Sequence, residues 1–355
     1  MNSATKQRNS AMEVLRILAM FLIIFSHYIS HGTGIITDNS LGNIVSLLFQ
    51  AGNIGTDIFI LLSGYFLINS KFNFKKAFTL IFQVAFYSIT IYLMCLLISA
   101  QSFSLKDAIT SLLPTSFSAY WFFTTYIVMY LLSPFLNHFL NSVSRETHLK
   151  VMITTALLWI ILPTFTTRSF AGNELTLFLT LYIIGAYMRK YPNNVITKSK
   201  NDIILIVFCS FFISLFAIGI LKILPSLSEY STYFYSKQSL FAVLISMGLL
   251  SYFSKVKPFY SKALNSIAST TFGVYLIHDN QFFRTYMWNE IFQVDRYGKE
   301  SYIFIHMLLC AVVIFTVCFV IESVRKLFIE KPILILYDKI LNKLGPKLTV
   351  FIKKF

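Results

Sequence analysis

The sequence predicts an all-α integral membrane protein of about ten transmembrane helices with both termini in the cytoplasm, and three observations carry that reading. Of the 355 residues, 56% are hydrophobic and only 13% are charged, about half the charged fraction of an ordinary soluble domain. The apolar residues fall in unbroken runs such as 202–221 and 303–321, which match the roughly 20 residues needed to cross a hydrocarbon core of about 30 Å. The basic residues concentrate in alternate connecting segments, as orientation in a membrane requires. A soluble enzyme is excluded. A transmembrane barrel is excluded too, because the runs lack the alternation of apolar and polar positions that barrel strands need.

Read with a window of about 19 residues, the runs give spans in order at 14–31, 43–68, 77–99, 119–140, 150–166, 174–190, 202–224, 236–254, 264–282 and 302–323. The second contains Gly52, Gly55 and Asp57, so a break is expected there, which is tolerable only where backbone lines protein or a water-filled cavity. The fifth is short and the ninth is polar for a span. Three regions follow: a cytoplasmic N-terminal segment over 1–13, a membrane domain over 14–323, and a basic amphipathic tail over 324–355. In the tail, Lys alternates with Leu, Ile and Phe, a pattern suited to lying on an anionic inner leaflet. The first run is long enough to span and no small-residue cleavage site follows it, so no cleavable signal peptide is expected.

The formal net charge of +15 comes from 30 Lys and Arg against 15 Asp and Glu. With the N-terminus inside, 22 of the basic residues are assigned to inner segments and adjoining span ends and 7 to outer ones, leaving Arg16 as the one assigned to the membrane. This excess fixes the orientation. The four cysteines, Cys95, Cys209, Cys310 and Cys318, all fall inside expected spans without close pairs, and read as small core residues rather than ligands or disulfide partners. No metal site is expected. Trp121 and Trp288, near outer helix ends, and the 20 tyrosines fit an interfacial belt.

An ionisable side chain inside a span costs at least about 2.5–3.5 kcal/mol on insertion scales, so each is a functional candidate. The set is Arg16, His27, Asp57, His278, Asp279, His306 and Glu322. Arg16 and His27 are eleven residues apart, a net turn of about 20° and a rise of about 16.5 Å on one helix. They share a face, with Arg16 near the cytoplasmic mouth and His27 in the outer half. Arg supplies a permanent, phosphate-matching fork, while His exchanges a proton near neutral pH. Helix directions put His27, His31, His278 and His306 at similar depth in the outer third. His31 and His306 read as structural polar residues. Asp57 either orients His27, as the acidic member of a triad does, or caps a break in the second span. His138 and His148 are expected at a solvated inner surface.

These residues also form a pattern. Arg16, ten residues and then His27-Tyr28 resemble the Arg/Lys-x10-His signature of membrane acyltransferase family 3. In family order, Gly55-Thr56-Asp57 through Ser63-Gly64-Tyr65 resembles its D-x-F-F-x-x-S-G segment, and Tyr120-Trp121-Phe122-Phe123 its W-F helix. Tyr275-Leu276-Ile277-His278 resembles its Y-L-x-H segment, and Glu330-Lys331-Pro332 its closing E-x-P. The resemblance covers nearly the whole chain. It implies ten or so helices that move an acyl group, commonly acetyl, from cytoplasmic acyl-CoA to a sugar hydroxyl, often in a surface polysaccharide. It further implies that Arg16 helps hold the donor and that His27 is the catalytic histidine. Where many relatives carry an Arg-rich motif at the start of the third helix, this chain has Lys75 and Lys76; lysine binds phosphate as a point charge without the bidentate fork.

The expected function is a membrane O-acyltransferase, an O-acetyltransferase by preference, moving the group from cytoplasmic acyl-CoA to a hydroxyl of a cell-surface polysaccharide or its lipid-linked precursor. His27, Asp57 and His278 are the expected catalytic residues, with Arg16, Lys75 and Lys76 on the donor, and Ser63, Tyr275, Asp279 and Trp121 in support. No cofactor is expected to be tightly bound, acyl-CoA being a co-substrate, and no nucleic acid is expected as partner. Abundant Phe, Ile and Lys fit an AT-rich bacterial genome, placing the chain in a bacterial cytoplasmic membrane. A transporter or flippase for a lipid-linked saccharide explains ten helices equally well, but it gives no reason for a His eleven residues beyond an Arg, and no inverted repeat is visible. A membrane sensor or scaffold leaves the buried ionisable residues without a role.

Overall fold

The computed structural model describes residues 8–33, 40–166, 168–192, 199–224, 226, 238–297 and 302–343. Residues 1–7 of the N-terminal segment, the tail beyond 343 and the first residues of the eighth expected span lie outside them. The described residues form helices and no strands. In chain order these are α1 (Ser10–His27), α2 (Ser40–Leu67), α3 (Phe74–Leu97), α4 (Leu105–Leu112), α5 (Trp121–Ser142), α6 (Arg145–Ala156), α7 (Leu162–Thr166), α8 (Glu174–Lys190), α9 (Lys200–Ile223), α10 (Leu240–Lys255), α11 (Lys262–Ala268), α12 (Thr271–His278), α13 (Arg284–Tyr286), α14 (Val294–Tyr297), α15 (Ile303–Arg325) and α16 (Lys331–Lys343). Among the described residues, four helical stretches, Ser10–Gly32, Phe74–Leu97, Arg145–Thr166 and Ile303–Leu341, are long and apolar enough to cross a bilayer. Gly52–Leu67 and Leu240–Lys255 are shorter apolar helices.

Several boundaries are set by recognisable local chemistry. The α1 N-cap is Asn9, whose side chain accepts from the Ala11 amide at 3.1 Å, and Asn73 and Ser144 cap α3 and α6 in the same way. Ser10 then pins the start of α1, its amide donating to the Phe259 carbonyl at 2.9 Å and its hydroxyl to Asn265 of α11 at 3.0 Å. After His27 the chain widens into a π-helical turn over Tyr28–Thr33, a local feature common at functional sites.

Two expectations about helices change. The second span is one unbroken helix, and its glycines serve packing rather than a break. A Cβ at Gly52 would collide with Ser26, and one at Gly55 with the Ala19 carbonyl and Ile23. Only glycine lets α2 lie antiparallel this close to α1. The same device repeats on α2's other side, where Gly64 meets the Tyr182 backbone and Gly185 of α8 meets the Leu61 carbonyl. The ninth span is instead two short helices, α11 and α12, and α12 ends at His278.

The apolar interior forms two clusters. One gathers Ile24, Val84, Phe123, Leu276 and Ala311, from α1, α3, α5, α12 and α15. The other gathers Leu15, Leu61, Leu181 and Leu250, from α1, α2, α8 and α10. α1 contributes to both and so runs along the seam between them.

At its far end α15 carries a buried polar network. The Glu322 carboxylate is fully buried and accepts from Gln83 at 3.0 Å, Tyr87 at 2.7 Å and the Arg325 guanidinium at 2.8 and 2.9 Å. Arg325 also pairs with Glu330. Gly273 of α12 passes so close to Glu322 that any side chain there would strike the carboxylate. Beyond a π-helical turn at Lys326–Glu330, α16 folds back on α3, with Lys75 pairing to Asp338 at 2.6 Å and Phe78 packing on Tyr337.

Candidate active site

A cavity of about 360 Å³ lies in the seam between the two clusters. From α1 it takes Arg16, Met20, Ile23 and His27, at spacings of four, three and four, which is a single stripe along one helix face. From α2 it takes Thr56, Phe59, Leu62, Ser63, Phe66 and Leu67. Lys76 and Leu80 of α3, Trp121, Phe122 and Tyr126 of α5, and Thr271, Phe272 and Tyr275 of α12 complete it with Ala268, Ser269 and Arg8. Because α1 and α2 are antiparallel, the cations Arg8, Arg16 and Lys76 gather at one end. His27, Ile23 and Thr56 define the other.

At the His27 end the side chains form a hydrogen-bonded chain. The Nδ1 of His278 lies 2.6 Å from the Val274 carbonyl, and a carbonyl only accepts, so that nitrogen carries the proton. In the neutral ring the Nε2 of His278 is then a bare acceptor. It lies 3.0 Å from Nδ1 of His27, which therefore donates, and the second ring nitrogen of His27, Nε2, is left with its lone pair free. Asp279, the residue after α12, places Oδ1 3.8 Å from His27 Nδ1, 3.3 Å from His31 Nε2 and 3.5 Å from the Arg284 guanidinium. It is 5% exposed, so its charge acts in a poorly screened setting. The ring of His31 packs 5.0 Å from that of His27. His27, His31 and Asp279 bring ligand-type atoms within 4.8 Å of one another, a set a divalent ion would use; Arg284 already supplies a positive charge at the same carboxylate oxygen.

The expected site residues separate as follows. Arg16, His27, Lys76, Ser63, Tyr275 and Trp121 line the one cavity, and His278 and Asp279 stand directly behind His27. Ser63 spends its hydroxyl proton on the Phe59 carbonyl at 2.9 Å. Asp57 is fully buried in α2 and is not among the cavity-lining residues, while Asp279 lies 3.8 Å from His27. Lys75 points away to Asp338, because successive helix residues are about 100° apart and Lys76 takes the inward position. His306 bonds the Tyr28 hydroxyl at 2.7 Å. His148, expected at a solvated surface, is fully buried with Nε2 on the Ile183 carbonyl at 3.2 Å.

Sequence reasoning missed Arg8, Glu13 and Arg284. Glu13 accepts from Arg8 at 2.6 Å and pairs with Arg16. The i,i+3 spacing of Glu13 and Arg16 was a usable signal; nothing in spacing announces Arg284.

A hydrogen-bonded pair of histidines thus stands at one end of a largely apolar cavity, with clustered cations at the other. A family model described as an acyltransferase domain matches residues 9–323, and the chain belongs to that family, acyltransferase family 3. No curated protein and no solved structure matches the chain.

Proposed function

We propose that this membrane acyltransferase moves an acyl group, acetyl in the simplest case, from acyl-CoA to a hydroxyl of a cell-surface polysaccharide or its lipid-linked precursor, in a bacterial cytoplasmic membrane. The observation that carries the reading is the placement of Arg16 and His27 at opposite ends of one cavity along one face of α1. The donor's phosphates dock at Arg16 and Lys76 on the cytoplasmic side, and its thioester arm follows the apolar stripe of Met20 and Ile23 to His27.

There His27 Nε2 takes the proton of the acceptor hydroxyl as its oxygen attacks the thioester carbonyl. The C–S bond of the tetrahedral intermediate then breaks, and the departing thiolate recovers the proton from the imidazolium. An ester and a free thiol are formed with no net proton change. His278 holds the required tautomer through its bond to Nδ1, and Asp279 stabilises the transient imidazolium, the roles an orienting partner plays in a catalytic triad. General-base catalysis of this kind contributes typically 10²–10⁴-fold.

The test is the ester content of surface glycan in cells carrying His27→Ala or Arg16→Ala chains that still reach the membrane, together with acetyl-CoA consumption by the purified protein. Loss of both signals supports the reading. Normal acylation in both variants would sink it.

A further inference from the structure

Behind the cationic end of the cavity lies a carboxylate that does not line it. The Glu13 side chain is 3% exposed and its two oxygens are divided between two guanidinium groups. Oε1 accepts from Arg8 Nε at 2.6 Å, and Oε2 accepts from Arg16. Both arginines line the cavity, whereas Glu13 does not. Arg8 is half-exposed and Arg16 is 20% exposed, so the pair spans the rim and the interior.

A guanidinium offers five N–H donors in a planar fork. In these contacts each arginine commits one to Glu13 and retains others for a ligand. Two neighbouring guanidiniums repel when nothing joins them, and each long side chain wanders among rotamers. A buried carboxylate between them removes both problems. Glu13 and Arg16 stand one turn apart on α1, and Arg8 approaches from the residues just before its N-cap. The charges favour an anionic ligand, since Arg8, Arg16 and Lys76 line the cavity and no Asp or Glu is among the described residues that line it. Lys326 contacts Ser269, another lining residue, but its charge is shared with Glu322 at 4.0 Å.

We infer that Glu13 is a positioning residue that holds Arg8 and Arg16 side by side as a two-guanidinium clamp for the donor's phosphates, and that Arg8 is a second donor-binding residue. The inference rests on the reading that a phosphate-bearing thioester docks at this end. The opposite role, a carboxylate that merely neutralises the arginines and competes with the ligand, makes the contrary prediction for removal of its charge.

The experiment compares binding of CoA and of pantetheine, which lacks the phosphates, to the purified full chain and to its Glu13→Gln and Glu13→Asp variants. Glu13→Gln is expected to weaken CoA binding about tenfold and to leave pantetheine within about twofold, with Glu13→Asp recovering part of the loss. Retained pantetheine binding shows that the cavity is intact. Unchanged or tighter CoA binding in Glu13→Gln overturns the inference, as does an equal loss for both ligands, which would mark a structural role. A wild-type chain that holds CoA no better than pantetheine overturns the donor-site reading itself, and the clamp with it.

Discussion

The bond between His278 Nε2 and His27 Nδ1 is the residue-scale feature that fixes the tautomer of the part-buried His27, the base of the proposed mechanism. His278→Ala removes that acceptor without touching the cavity lining, so turnover of acetyl-CoA should fall on the order of 10²-fold with KM little changed. A KM effect as large as the kcat effect would mean that His278 shapes the donor site instead. Chelation with EDTA should leave turnover intact; its loss would reassign His27, His31 and Asp279 to a metal. The two adjacent lysines should also part company. Lys76→Ala is expected to raise KM for acetyl-CoA about tenfold while Lys75→Ala changes it less than twofold, because a half-exposed pair such as Lys75–Asp338 contributes about 0–1 kcal/mol and lies off the cavity. At this scale the sequence was legible for Arg16 and His27, since helical periodicity converts their spacing directly into a shared face. It was not legible for the approach of Asp279 to His27, because that depends on where α12 ends against α1, a tertiary fact no local period encodes.

At the scale of elements, helix existence followed from apolar runs, while helix continuity did not. Gly52 and Gly55 read as a break because glycine is a poor helix residue in isolation, but helix-to-helix contact outweighs that preference when it lets backbones approach. The claim is testable at α2 and α8. Gly64→Ala or Gly185→Ala forces a methyl onto the facing backbone and should destabilise the protein by about 1–3 kcal/mol, read as a lowered Tm in detergent. An unchanged Tm in both would show that the interface is looser than described. The division of the ninth span into α11 and α12 was signalled only by its polarity, and that division is what ends α12 at the level of His27.

At the scale of the whole molecule, the family match over residues 9–323 runs from the start of α1 into α15, and the two apolar clusters meet along α1. The buried Glu322–Arg325 pair ties the matched region to the tail through α12 and α3. Glu322→Ala would leave the buried Arg325 guanidinium with Glu330 as its remaining carboxylate partner, costing about 3 kcal/mol, and should appear as loss of folded protein in the membrane fraction; normal yield and Tm would argue against the network as a keystone. Orientation, read from the 22 to 7 split of basic residues, is checked by a C-terminal tag, expected to meet antibody only after the cells are opened. The stripe from Arg16 to His27 has one more consequence. Because both ends belong to one rigid helix, the rise of about 16.5 Å between them is a fixed ruler. On the proposed reading, a donor fits only if the arm between its anionic anchor and its reactive carbon measures up to that length, which would sort carriers by reach before any chemistry begins.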